Sequence, residues 1–202
     1  MLLITSMLFL VAAPLPLPVA NMPCPSSTGR AFQTASERTV ARFLTMYLRK
    51  THEGLIDSRE LQRIAPYLSR RLRATFANTI KYQQDFIKAH PDETNPNGGP
   101  PVIYKPPFVE GGDYFTSLSE WPDGVQGRGD ERLRFDVAQS NMNSATANVC
   151  VHFAYDTRPI VAWNDTYVVI NEGNAWVIDD VIYSGAPWYY REGRLSELLS
   201  QR

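Results

Sequence analysis

The apolar residues of this chain change period once, and that change limits the architectures open to it. Between residues 34 and 90 they recur at three- and four-residue spacing, and after Leu133 they alternate. Thr34-Ala35-Ser36-Glu37 has the capping-box pattern and opens a helix predicted to run to about Lys50, with Val40, Phe43, Leu44, Tyr47 and Leu48 on one stripe. Asp57-Ser58-Arg59-Glu60 repeats the capping logic and starts a short helix to about Leu68. A third helix, about Ser69 to His90, places Leu72, Phe76, Ile80, Gln83 and Ile87 on one face. Strands are then predicted from Leu133, across Val149–Tyr155, over Trp163–Ile170 and over Ala175–Tyr183. The last two are joined by the hairpin turn Asn171-Glu172-Gly173-Asn174. Helices first and a meander afterwards predict an α+β fold, the N-terminal helices packed on a curved antiparallel sheet of about four strands. Arg194 to Gln201 has room for a short terminal helix.

The ends of the chain suggest its compartment. No charged residue precedes Arg30, and Leu2 to Ala13 is a mainly apolar run of 12 residues followed by Pro14, Pro16 and Pro18. A membrane-crossing helix needs about 20 apolar residues. The run fits the h-region of a signal peptide cleaved near Ala20, with a buried N-terminal helix or strand as the alternative. The expected organisation is therefore a signal peptide at 1–20 and a Pro-rich arm at 21–35. An α+β domain at 36–185 follows, and then an aromatic segment with a short helix at 186–202. A periplasmic or secreted location follows from export. In an oxidising compartment the chain's two cysteines, Cys24 and Cys150, are expected to pair. The alternative is two free thiols, with Cys150 as a small core residue.

Composition excludes several classes. Twenty basic residues against 21 acidic ones leave a net charge of −1, which argues against a generic nucleic-acid binder. Nine Phe, ten Tyr and four Trp argue against disorder. Two Cys and three His are too few for the usual structural zinc sites, and no metal or cofactor is expected. Phosphate-binding glycine loops, His-Glu-x-x-His and Gly-x-Ser-x-Gly are all missing. Local charge is less even. Arg59 to Lys81 holds six basic residues against Glu60, and Pro107 to Asp136 holds seven acids against three arginines. Mutual neutralisation of these two regions is the expected arrangement, with steering of a charged partner as the alternative. Between them Pro91–Pro107, with six Pro and two Gly, reads as a long loop.

Phe43-Leu44-Thr45-Met46-Tyr47-Leu48, the helical segment Leu61 to Leu72, Pro107-Phe108 with Gly112-Asp113-Tyr114-Phe115, and Ala175-Trp176-Val177-Ile178-Asp179-Asp180-Val181 carry a family resemblance. Over roughly residues 36 to 184 the chain resembles the secreted family catalogued as domain of unknown function 3828. That family is similar in turn to the nuclear transport factor 2-like, cystatin-like α+β cone. The resemblance implies export and a cone-shaped pocket; it implies no agreed reaction and therefore no catalytic residues.

Several residues remain as candidates for chemistry or contact. His152 lies on a predicted central strand, opposite in face to Val151 and Phe153, where it serves either as a base or ligand contact or as hydrogen-bonded structure. His52 and His90 follow predicted helices and read as C-terminal caps. Asp179 and Asp180 are adjacent on a strand, so alternation sends them to opposite faces and allows at most one into a pocket. The strand aromatics Trp163, Tyr167, Trp176 and Tyr183 read as core. Trp188, Tyr189 and Tyr190 fall outside the strand pattern and read equally as a binding anchor or a cap on the sheet.

The function expected is that of an exported cell-envelope binding protein without catalysis, acting through its sheet face and loops. A periplasmic immunity protein that neutralises a toxic effector is one concrete form. Its partner is an envelope protein or small ligand; nucleic acid is not expected, nor a stable membrane span in the mature chain. The alternatives are a small-molecule enzyme with His152 or Asp180 as general base, and a structural envelope component.

Overall fold

The computed structural model describes residue 24 and residues 34–49, 56–89, 114–117, 133–155, 161–183 and 193–201. The expected signal segment, most of the expected arm, the expected loop (Pro91–Pro107), His52, His90 and Trp188-Tyr189-Tyr190 lie outside the described residues.

Helix α1 spans Ala35–Tyr47, and its capping box closes as the pattern predicts: Thr34 Oγ1 accepts from Glu37 N at 3.2 Å, and Glu37 Oε2 accepts from Thr34 N at 2.9 Å. The helix ends three residues before the predicted Lys50. Helix α2, Ser58–Ile64, is capped by Asp57, whose Oδ1 accepts from Glu60 N at 2.6 Å. It passes into a 3-10 turn, Ala65–Tyr67, instead of continuing to Leu68. Pro66 accounts for the tightening, since its ring cannot donate and disfavours a continuing α-helix. Helix α3 runs Arg70–Ala89 behind Ser69, whose Oγ accepts from Leu72 N at 3.0 Å. A fourth helix, α4, covers Leu195–Ser200.

Four strands follow in simple meander order: β1 Leu133–Met142, β2 Thr146–Tyr155, β3 Val161–Glu172 and β4 Ala175–Ile182, each antiparallel to the next. The β3–β4 turn is built on Gly173 (φ 61°) and Asn174 (φ 67°), the left-handed pair that a two-residue hairpin of native twist requires. The protein is thus α+β, with helices against one face of a curved antiparallel sheet.

Alternation decides what the sheet buries. Val149, Val151 and Phe153 of β2, and Trp163, Tyr167 and Val169 of β3, face inward. Val40, Phe43, Leu44 and Tyr47 of α1 and Leu72 and Phe76 of α3 meet them in one core. The strand aromatics expected there are there: Trp163, Tyr167 and Tyr183 are buried, and Trp176 packs half-buried on the edge of the core. Each large apolar side chain buried in this way contributes about 1.5–3 kcal/mol. Thr39 Oγ1 donates to Trp176 O at 3.2 Å and anchors α1 to the start of β4.

Cys24 and Cys150 form a disulfide, with Cα atoms 5.7 Å apart and 126 residues of separation. Cys150 points to the outer face of β2, away from the helices, so the bond fastens the N-terminal arm to that face. A loop of this length removes much denatured-state entropy, and reduction is expected to lower unfolding free energy by about 3–5 kcal/mol. Urea unfolding with and without dithiothreitol, compared with Cys24→Ser/Cys150→Ser, measures it.

Candidate functional site

The face of the sheet that the helices cover is packed with the protein's own residues. The segment 114–117 inserts between the helices and the strands. The Phe115 ring lies 4.7 Å from Phe43, 5.0 Å from Tyr47 and 5.7 Å from Phe76, centroid to centroid. The backbone of the segment is fixed from the sheet. Tyr183 Oη donates to Tyr114 O at 2.7 Å, and Tyr167 Oη donates to Phe115 O. Trp163 Nε1 donates to Thr116 Oγ1 at 2.9 Å. Asp165 Oδ2 accepts from Ser117 N at 2.8 Å and from Trp163 Nε1 at 3.2 Å. Asp165 is 1% exposed and inward-facing, a buried acceptor for an irregular segment. Its position between Trp163 and Tyr167 on an inward row was the available signal in the sequence, and alternation alone leaves it unexplained.

His152 lies on the other side of the sheet. It is exposed on the outer face, in register with Asp136 of β1 and Asn164 of β3. Its Nδ1 is 2.7 Å from Asn164 Oδ1, so Nδ1 carries the hydrogen and Nε2 is left for other partners. The inward residues of β2 separate it from the aromatic interior. Around it the outer face is mixed and shallow, with Ala162, Asn164 and Arg134 exposed and Thr166, Val168 and Ala154 half-buried.

The two aspartates of β4 depart from strict alternation. A bulge between Val168 and Val169 of β3 leaves Asp179 without a cross-strand partner, and both carboxylates reach the free edge of the sheet. Asp179 accepts from Ser69 Oγ at 2.6 Å and from Arg71 Nη2 at 2.8 Å. Asp180, 1% exposed, accepts from Ser196 N at 3.0 Å, Ser196 Oγ at 2.7 Å and Arg194 Nη1 at 3.3 Å, with Arg71 Nη2 at 3.8 Å. The expectation that the pair diverges is therefore corrected: one guanidinium touches both. Its hydrogen bond to Asp179 raises Arg71 above the ordinary guanidinium value. Asp180 fastens the start of α4 to the strand and has no open side for a substrate.

The basic stretch also has specific partners. Arg63 is bound by Glu60, whose hydrogen bond raises its pKa, Arg70 pairs with Glu172 at 3.4 Å, Arg71 with Asp179, and Lys81 with Asp85. These acids lie outside Pro107–Asp136, the region expected to neutralise the stretch, most of which is beyond the described residues.

Helix α1 carries a second group of cations. Arg38, Arg42, Thr45 and Arg49 lie exposed on the side of the helix opposite its buried stripe. With Ala41, Met46 and Tyr67 they line an open groove of about 420 Å³. Arg38 and Arg42 are one turn apart, a like-charge spacing that costs an isolated helix a few tenths of a kcal/mol. A cation near the N-terminus is also unfavourable to the helix dipole. A smaller cleft of about 240 Å³ lies between α3 and α4, lined by Thr75, Asn78, Thr79, Tyr82 and Leu199. Among the described residues no group of three or more His, Cys, Asp or Glu is placed to hold a metal, and no helix is long and apolar enough to cross a membrane.

Comparison of the chain with family models, with curated proteins and with solved structures finds no match.

Asp180→Ala removes a buried acceptor from four donors, Val181 N among them, and is expected to cost about 3 kcal/mol. Asp179→Ala, whose Arg71 partner is half-exposed, is expected to cost about 1 kcal/mol. Urea denaturation followed by tryptophan fluorescence separates the two.

Proposed function

We propose that this protein is an exported, non-catalytic binding domain of the cone-fold type, which engages a protein or ligand of the cell envelope through the outer face of its sheet and the adjoining loops. The observation that carries the reading is the filled interior. Phe115 and its neighbours occupy the space in which a cone-fold enzyme would hold a small substrate. His152 lies on the opposite face, and Asp180 is engaged by Ser196 and Arg194, which leaves neither proposed base facing these rings. The outer face, by contrast, offers exposed polar groups on a rigid sheet.

Export is supported by the leader-like segment Leu2–Ala13 together with the disulfide, a bond that persists in oxidising compartments. An immunity protein fits this description, because blocking a toxic effector requires a complementary surface and no reaction.

Affinity capture from a native envelope extract tests the proposal. One protein is expected to be retained at near-equal stoichiometry. Ala162→Arg, which puts a long cation on the open face, is expected to weaken capture by about tenfold or more. His152→Ala is expected to fold and still capture. Small-molecule turnover that disappears in folded His152→Ala, with no protein captured, would replace this reading with the enzymatic one.

A further inference from the structure

We infer that the cleft between α3 and α4 is a binding site for one neutral sugar ring, free or at the end of a glycan. The site belongs to the helical layer, away from the outer sheet face, and stands independently of the function proposed above.

The cleft is built from one stripe of α3 and the end of α4. Thr75, Asn78, Thr79 and Tyr82 recur at three- and four-residue spacing and so share one side of α3, while Leu199 and Gln201 close the space from α4. The two helices are tied together at its floor. Thr79, 5% exposed, shares its hydroxyl proton between Leu199 O at 2.8 Å and Thr75 O at 2.9 Å. The space of about 240 Å³ is smaller than the roughly 300–1,000 Å³ of sites for drug-sized ligands, which limits the occupant to a single small ring.

The polarity of that occupant follows from where the hydroxyl protons go. Thr75 Oγ1 donates to Arg71 O at 3.1 Å, and Ser200 Oγ donates to Ser196 O at 2.7 Å. With Thr79 they make three hydroxyls whose protons are committed to backbone carbonyls. Such a hydroxyl keeps a lone pair and can only accept from a ligand. Three acceptors in one cleft call for a ligand rich in donors. Asn78 and Gln201 add exposed amides that both donate and accept, and among the described residues neither side chain is hydrogen-bonded.

Charge narrows the class further. No charged side chain among the described residues lines the cleft, in contrast to the groove on α1 with its arginines. One turn beyond the stripe at either end, Arg71 is held by Asp179 and Asp85 by Lys81. A cation would find no carboxylate here, and an anion would meet hydroxyls with no proton to give. A wholly apolar ligand would strip water from these acceptors and leave them unpaired.

A pyranose ring meets all of these conditions. Its hydroxyls donate to the committed hydroxyls and exchange hydrogen bonds with the two amides, and its C–H face packs on the Tyr82 ring and Leu199.

Saturation-transfer NMR on the full chain tests the inference, with glucose, galactose, mannose and N-acetylglucosamine as the neutral probes. At least one is expected to bind with about millimolar affinity, as its small size allows. The charged counterparts of the bound sugar, its uronate and its 2-amino form, are expected to bind about fivefold or more weakly. Asn78→Ala/Gln201→Ala is expected to weaken binding about tenfold, and Lys88→Glu to leave it within about twofold of the parent. Circular dichroism establishes that each variant folds. Thr75→Val, which removes one acceptor at nearly constant size and is expected to weaken binding about fivefold, serves if the double variant unfolds. The methyl glycoside separates the two sources: binding equal to that of the free sugar assigns the end of a glycan, and loss of binding assigns the free sugar. The inference is overturned if no neutral sugar binds at up to about 20 mM, if a charged counterpart binds as tightly as the neutral ring, or if the folded cleft variants bind as the parent does. Capture through the sheet face is read with Ala162→Arg, so either surface can fail while the other stands.

Discussion

The edge of β4 is where the helical layer and the sheet are joined, and a one-residue bulge makes the joint possible. An edge strand leaves a row of unpaired backbone groups. Here two short pieces of chain cover it. Leu68 and Ser69 bridge to Ile178, with Ser69 N donating to Ile178 O at 2.8 Å, and residues 193–194 bridge to Ile182 and Tyr183. The bulge at Asp179 then aims two successive carboxylates at the helices those pieces begin. Asp179 holds Ser69 and Arg71 at the start of α3, and Asp180 holds Arg194 and Ser196 at the start of α4. Without the extra residue, one carboxylate would turn to the other face and one helix start would lose its acceptor.

The same economy operates on the inner face of the sheet, where the segment 114–117 has no regular structure and so no ladder to satisfy its backbone. Tyr167, Tyr183 and Asp165 supply those partners from the strands. Burying irregular chain is affordable only under such conditions. What the arrangement provides is Phe115, a wedge that brings α1 and α3 onto one aromatic centre. The rings of Phe43, Tyr47 and Phe76 close around Phe115 within 6 Å, centroid to centroid.

Where a signal is local, sequence and structure agree. Thr34 and Glu37 sit three apart and cap α1, and Gly173-Asn174 turns the β3–β4 hairpin, because each depends on a few neighbouring residues. The four strands and their faces follow from alternation for a similar reason. Strand parity misplaces Asp179 and Asp180 because a bulge is a property of two strands together, decided at Val168 and Val169 of the neighbour. The role of Tyr114–Ser117 is equally hidden, since its partners are 47 to 69 residues further along. Pairing Cys24 with Cys150 needed only the count of cysteines and a compartment, and the structure contains the bond.

The arginines of α1 were missed for a different reason. Counting charge along the chain finds the dense run from Arg59 to Lys81, yet Arg63, Arg70, Arg71 and Lys81 of that run are engaged by carboxylates, Glu172 and Asp179 among them from more than a hundred residues away. Arg38, Arg42 and Arg49 are sparse in sequence and become a stripe only when the helix winds. Density in sequence is thus a poor guide to which cations stand together on one exposed side. Local and long-range carboxylates engage four of the six crowded cations, and helical geometry concentrates the sparse ones. The α1 arginines lie beside an apolar floor of Ala41, Met46 and Tyr67, which Arg63 and Phe43 hold in place.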